Sequence, residues 1–257
     1  MFATERDNMI LQYLEDNGIT RVESLTKLTG ASIATVRRDV NRLHKMGLIE
    51  KTRGTARIKE SNAGIDFTDT DDDPYARTKD RIARVAVDLI RDGDTVFIGA
   101  GKTCSFLAKY LNLKNNLTVV TTNVNAVMEL AKGKKHAMVL LGGDIHVGSG
   151  FVETLDDYSV YLLRNLYFNK VFITVNGVDL QYGYSINSRL QVPLYSHLMS
   201  NTQEFYLLVD SSKFNKRAFA MLCDVQKIRN IVTCSDTDPI YLDFYKESGI
   251  VVYTEND

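Results

Sequence analysis

The chain has 257 residues, 44% hydrophobic and 25% charged, with a formal net charge of −1. That length suits two domains, and the balance excludes a disordered or collagenous class. The near-zero charge hides an asymmetry: residues 1–60 carry 11 Lys+Arg against 8 Asp+Glu, and the rest carry 20 against 24. A basic head therefore precedes a mildly acidic body, and a head of that sign points to a polyanionic partner. Cys104, Cys223 and Cys234 form no CxxC, and the histidines His44, His136, His146 and His197 are scattered. A disulfide framework, a metal site or a cofactor is not expected. The N-terminus has no apolar signal core, and no uncharged run approaches the ~20 residues that cross a bilayer. A cytoplasmic protein without membrane contact is expected.

In chain order, the first predicted helix runs from about Glu5 to Asn17, with Ile10, Tyr13 and Leu14 on one stripe and Gly18 at its end. A short second helix from about Val22 to Thr29 turns Val22, Leu25 and Leu28 inward and stops at Gly30. Ser32 is a good N-cap for a third helix, which buries Ile33, Val36, Val40 and Leu43. Thr35, Arg38, Arg42 and Lys45 fall on its opposite face, with Ala34 and Asn41 beside them; Gly47 ends it. Leu48-Ile49 and Ala56-Arg57-Ile58 can pair as a hairpin across Thr52-Arg53-Gly54-Thr55.

From Arg37 to Lys59 eight basic residues stand against two acids, Asp39 and Glu50. Two short helices around a glycine turn, a capped third helix and a basic hairpin form a winged helix-turn-helix pattern. Small residues at the helix tip (Ser32, Ala34, Thr35) permit close approach to base edges. Thr35 and Arg38 are placed to read bases and Arg42, Lys45, Lys51 and Arg53 to neutralise phosphates, with Arg37 and Asn41 as further DNA contacts. Double-stranded DNA is the expected partner. Asp39 can pair with Arg42 at i+3 or with the first helix, fixing the arginine fan.

Residues 61–74 read SNAGIDFTDTDDDP, an acidic linker without apolar period. The aspartates lack the Gly and closing Glu of a calcium loop.

The body alternates strand and helix. A helix carries Ile82, Val85, Ala86 and Leu89, and the strand Thr95–Gly99 leads into Gly-Ala-Gly-Lys-Thr and a helix through Leu107 and Leu111. Strand Leu117–Thr121, a helix through Val127 and Leu130, and strand Met138–Gly143 follow. Further short apolar strands occupy Val171–Gly177, Phe205–Asp210 and Ile231–Thr233. This pattern predicts an α/β domain with a mostly parallel sheet, whose ligand lies beyond the carboxyl ends of the strands. Those ends hold glycines, hydroxyls, amides and lysines without an aromatic floor, a composition for a small, polar, anionic ligand. Ala100-Gly101-Lys102-Thr103 is not a nucleotide P-loop, because Val96 stands where its first glycine belongs. The turn can still offer backbone N–H groups to one phosphate, aided by Lys102 and Thr103.

The run TVRRDVNRLHKMGLIEKTRGTA resembles the signature of the DeoR (deoxyribose-operon repressor) family of bacterial transcriptional regulators. Thr35, Arg37, Arg38, Asp39, Leu43 and Gly47 match its T-[IV]-R-R-D-[LI]-x-x-L-x-x-x-G pattern, whereas Gly54-Thr55-Ala56 replaces the wing's Gly-Gly-Ala. DGDTVFIGAGKT, LTVVTTN, LLGG, NGVD and VDSSKF are similar to landmarks of the family's sensor domain. Lys102 departs from the family's Thr, and Gln191 from its usual Glu. The resemblance implies a sensor domain like ribose-5-phosphate isomerase and a phosphorylated sugar or related metabolite as effector. It also implies effector contacts at Gly101, Lys102, Thr103, Gly143, Asp179 and Lys213.

The expected organisation is a DNA-binding domain at 1–60, the linker at 61–74 and an effector-sensing domain at 75–257. The whole would be a non-enzymatic repressor of a sugar-metabolism operon, acting as a homodimer or homotetramer because one such helix reads too few base pairs. The alternative is a sugar-phosphate isomerase with an appended DNA-binding module, for which Asp179, Asp210 and Lys213 would supply the base. Turnover of a sugar phosphate without any effect on operator binding would favour it.

Overall fold

The computed structural model describes residues 3–45, 49–52, 54–58, 73–148 and 150–255, and its contacts divide the chain into two units, Met1–Asp66 and Phe67–Asp257. Residues 61–72 of the expected linker, Gly47 and Leu48 lie outside the described residues.

The first unit contains α1 (Ala3–Asn17), β1 (Thr20–Arg21), α2 (Val22–Thr29), α3 (Ile33–Lys45), β2 (Ile49–Thr52) and β3 (Thr55–Ile58). Gly30, at φ 65°, ends α2 in the left-handed conformation that costs glycine least, and its N–H returns to the Thr26 carbonyl. β2 and β3 form the expected hairpin, with Gly54 at φ 81° in the turn. The sequence reading missed β1, which pairs antiparallel with β3 and fastens the wing to the start of α2. Ile10, Leu14, Leu25, Val36, Val40, Leu43 and Ile49 are fully buried in one cluster. At about 1.5–3 kcal/mol per buried side chain, this cluster is what holds three short helices together. Ile33 is a correction: it is 43% exposed. It occupies the first position of α3, where lying on the apolar side does not place a neighbour over the residue.

The second unit begins with α4 (Ala76–Asp88), β4 (Thr95–Ile98), α5 (Lys102–Leu111), β5 (Thr118–Thr121), α6 (Val124–Ala131) and β6 (Ala137–Leu140). A hairpin of β7 (Ile145–Gly148) and β8 (Phe151–Thr154) follows, then α7 (Asp157–Leu163), β9 (Phe168–Thr174), β10 (Gly177–Asp179) and β11 (Gly183–Ile186). The chain continues through α8 (Gln191–Ser200), β12 (Thr202–Leu208), β13 (Ala220–Cys223), β14 (Asn230–Val232), α9 (Pro239–Glu247) and β15 (Val251–Tyr253).

Seven strands form one sheet in the order β15-β14-β12-β9-β4-β5-β6, and every pair within it is parallel. Period-two alternation supplies both faces. Val96, Ile98, Phe172, Tyr206 and Leu208 face a layer of α4, α5 and α6. Phe97, Val171, Ile173 and Leu207 face a layer that includes α8 and α9. Burial on both sides is why these strands read as unbroken apolar runs. β6 differs: Met138, Val139 and Leu140 are exposed because it is the sheet's edge. Strand order reverses between β4 and β9, so their carboxyl ends diverge and open a crevice. No helix among the described residues is long and apolar enough to cross a membrane.

Candidate functional site

The first unit presents the exposed face of α3. Ser32 caps the helix, accepting the Thr35 N–H at 3.3 Å and sharing a 2.9 Å hydrogen bond with the Thr35 hydroxyl. Ser32, Ala34, Arg37, Arg38 and Asn41 are exposed and Thr35 is half-buried. Arg38 reaches back to the Ala34 carbonyl at 3.4 Å, and no ion pair among the described residues engages Arg37 or Arg38. Lys51 of the wing donates to the Asn41 side chain, tying β2 to α3. The Lys45 side chain and Arg53 lie outside the described residues.

Arg42, expected on this face as a phosphate clamp, is held by acids: Asp7 at 2.6 Å and Asp39 at 3.0 Å. Asp39 is 3% exposed and also receives Arg6 of α1 at 2.9 Å. A buried carboxylate survives only with such partners. Asp39 thus uses both routes open to it from the sequence, pairing within α3 and with the first helix. Arg57 of the wing pairs with Glu50 at 2.5 Å.

In the second unit a cavity of about 660 Å³ lies at the β4/β9 switch point. Gly101, Lys102 and Thr103 line it from the start of α5, and Lys213 lines it from the turn after β12. Gly101 sits at φ 103°, and a Cβ there would stand 2.7 Å from the Thr174 side chain, so both conformation and space call for glycine. Asn123 fixes this turn from below. It is fully buried, its Nδ2 donates to the Gly99 carbonyl at 3.2 Å and to Ser105 at 3.1 Å, and its Oδ1 caps α6 at the Ala126 N–H. The sequence offered Asn123 as a polar strand end; the structure makes it the tie between two turns.

Gly143 and Asp179 are not among the residues lining the cavity. Gly143 gives room to the chain entering α7: a Cβ would stand 2.9 Å from the Asp156 nitrogen. Asp179 closes its own turn, accepting the Gln181 and Tyr182 N–H groups, and pairs with Arg217 at 2.8 Å. Those bonds, Arg217 foremost, hold its carboxyl below the usual range.

Other groups reach the cavity from segments distant in sequence. The β7–β8 hairpin brings His146, Phe151 and Glu153, so an aromatic ring is present although the strand ends carry none. Glu153 is 4% exposed and receives Gln191 Nε2 at 2.9 and 3.1 Å. Burial pushes its pKa up, opposed by the Gln191 bond and by His146. Asp73 and Lys79 also line the cavity. Lys79 donates to Asp73 at 2.7 Å and lies 3.8 Å from Asp210; Lys102 lies 3.6 Å from the same Asp73 oxygen. Burial alone would raise the Asp73 pKa, but the Lys79 and Tyr75 hydrogen bonds and the Lys102 charge outweigh it and hold it low. Burial lowers the Lys213 pKa, with Asp210 opposing. The arrangement offers cationic nitrogens, a helix N-terminus and side-chain amides around a space for a small anionic molecule.

The description "DeoR-like helix-turn-helix domain" matches residues 6–62, and "DeoR C terminal sensor domain" matches residues 75–235. The lactose phosphotransferase system repressor of Staphylococcus epidermidis is 30% identical over 259 residues, covering 98% of this chain and 97% of its own length. The L-fucose operon activator of Haemophilus influenzae is 30% identical over 229 residues, covering 88% and 90%. Among solved structures, ribose 5-phosphate isomerase A from Methanocaldococcus jannaschii overlaps 55% of each chain with 17% identity and a TM-score of 0.38, too slight a likeness to bear on function.

Proposed function

We propose that this chain, which belongs to the DeoR family of DNA-binding transcriptional regulators, represses a sugar-metabolism operon under the control of a phosphorylated sugar. Membership makes it a regulator rather than an isomerase. Residues 1–60 serve as the DNA-reading head, 61–74 as the linker and 75–257 as the sensor. The named relatives act on lactose and L-fucose systems, one as repressor and one as activator; the sugar class comes from them. The observation that carries the anionic class is the convergence of Lys102, Lys213 and the N-terminus of α5 on one cavity.

On the DNA side, Thr35, Arg37 and Arg38 read bases while Lys51, Arg53 and Lys45 meet phosphates. The protein acts as a homodimer or homotetramer, which doubles the sequence read. The apolar edge strand β6 is a surface suited to self-pairing, since an unpaired edge of that composition invites another strand.

The test is a thermal-shift screen against phosphorylated sugars, followed by operator gel shifts with each compound that stabilises. A ligand at 100 times its Kd stabilises by about 2.7 kcal/mol. Lys213→Ala is expected to bind operator like the wild type and to ignore the effector. A retained response would remove Lys213 from the site, and absence of any stabilising phosphosugar would overturn the ligand class.

A further inference from the structure

We infer that Asp73, the last acid of the acidic stretch, is an internal competitor of the effector: its carboxylate occupies the anion position between Lys79 and Lys102, and an effector phosphate must displace it. The inference rests on the cavity being the effector site and names how that site is regulated.

The geometry is that of a place held by a substitute. Asp73 Oδ2 is 2.7 Å from Lys79 Nζ and 3.6 Å from Lys102 Nζ, and its side chain is 6% exposed. Lys102 stands at the first position of α5, where the free N–H groups add to the field that draws an anion. The Lys102 side chain crosses Gly150 so closely that a Cβ there would stand 2.1 Å from its Cε. The hairpin turn between β7 and β8 thus lies directly beside the cation. A phosphate at this turn and the Asp73 carboxylate would compete for the same nitrogens and repel one another there.

A second observation shows where Lys79 goes when Asp73 leaves. Asp210 Oδ2 is fully buried and has no hydrogen-bond partner, although Lys79 Nζ stands 3.8 Å away. A buried carboxylate oxygen without a donor is costly. Lys79, drawn to Asp73 at 2.7 Å, stands beyond hydrogen-bond reach of it at 3.8 Å. Release of Asp73 lets the ammonium close on Asp210. The orphaned oxygen thereby offsets part of the cost of breaking the Asp73–Lys79 pair, and Lys79 becomes a two-position element between Asp73 and Asp210.

The consequence for regulation follows from chain order. Asp73 lies directly after residues 61–72, which lead from the DNA-reading head. With the cavity empty, the pair holds that end of the linker against α4 through Lys79. With phosphate bound, this tether is released. The effector thus acts at Asp73, the point where the sensor meets the chain from the head, with no need for a change in the sheet.

The experiment uses the full chain, with inorganic phosphate as the probe. Phosphate affinity is measured by calorimetry for the wild type, Asp73→Asn and Lys102→Ala. Hydrogen exchange of the amides from Tyr75 to Lys79 is followed in the wild type with and without phosphate. The expected results are an affinity about tenfold higher for Asp73→Asn, because the competent fraction is no longer taxed, and faster exchange at 75–79 when the wild type binds phosphate. Lys102→Ala is expected to lose binding. If Lys102→Ala loses binding while Asp73→Asn binds like the wild type and exchange is unchanged, the site stands and the competition is refuted. If the wild type and Asp73→Asn both fail to bind phosphate or any phosphosugar, the site reading falls and the inference falls with it. The wild-type exchange measurement decides the matter even if a variant does not fold.

Discussion

Asn123→Ala is expected to destabilise the sensor domain by about 2–4 kcal/mol. One part is the lost cap: Asn123 Oδ1 accepts the Ala126 N–H at 3.1 Å, and removing such an acceptor costs about 1 kcal/mol. The larger part is the lost donor. The Gly99 carbonyl, bonded at 3.2 Å, is left without that donor in the interior, at about 1–3 kcal/mol. The Gly101 carbonyl suffers less, because the Ser105 N–H at 3.0 Å still serves it. Urea denaturation followed by tyrosine emission is a suitable assay, since the chain has no Trp and only Tyr13 of its 13 tyrosines lies in residues 1–60. The signal reports the sensor domain almost alone. Asn123→Asp separates the two parts: it keeps the cap and places a charge favourably at the start of α6, but turns an acceptor toward the Gly99 carbonyl. A loss below about 1 kcal/mol for Asn123→Ala, or wild-type stability for Asn123→Asp, would refute the claim that donation by Nδ2 fixes the turn.

Three other outcomes are expected. Arg38→Ala costs about 1–3 kcal/mol of operator binding and relaxes one base position, whereas Lys51→Ala weakens all sequences alike and lowers the salt slope by about 1; binding titrations on operator variants and at several salt concentrations tell them apart. Asp39→Ala, which removes the shared partner of Arg6 and Arg42, weakens operator binding several-fold at unchanged sequence preference, about what one misplaced phosphate contact loses; unchanged affinity in the same titrations would detach this network from the DNA face. Glu153→Gln stabilises the protein at neutral pH. The folded-state pKa of Glu153 is raised, chiefly by burial, so the ionised side chain weakens the fold as pH rises from the ordinary glutamate range through that raised value. The advantage of the Gln variant should therefore shrink as pH falls into and below that range, and an advantage independent of pH would contradict the assignment.

The architecture was legible where one local rule governs. Helix stripes and glycine stops placed α1, α2 and α3, and two-sided burial made β4, β5, β9, β12 and β14 read as apolar runs. Elements whose partners lie far along the chain were not legible. β1 is two residues long and exists because β3 offers an edge. β10, β11 and β13 form a separate small sheet whose alternation is broken by a bulge at Tyr184/Ser185. Ile33 shows the limit of angular reasoning at a helix end, and β6 shows that an apolar run signals a strand without saying whether it lies inside or at the edge.

The candidate site divides in the same way. Glycines and lysines after strands announced Gly101, Lys102, Thr103 and Lys213 because their spacing is local. Gly143 and Asp179 have the same local look, yet each is used by its own turn. The decisive difference is the partner, which composition does not carry. Arg42 and Arg38 are both arginines of α3, four residues apart, but Asp7 and Asp39 neutralise Arg42, whereas among the described residues no acid neutralises Arg38. A phosphate must compete with two carboxylates for Arg42 and with only a backbone carbonyl for Arg38. Lys79 poses the same question in the sensor: a buried lysine between Asp73 and Asp210 attracts little notice as a residue of an amphipathic helix. Its two acids are 137 positions apart in the sequence, and only the fold sets them on either side of one ammonium. Charge availability, not charge content, therefore ranks the cations of this protein, and it ranks Arg38 ahead of Arg42.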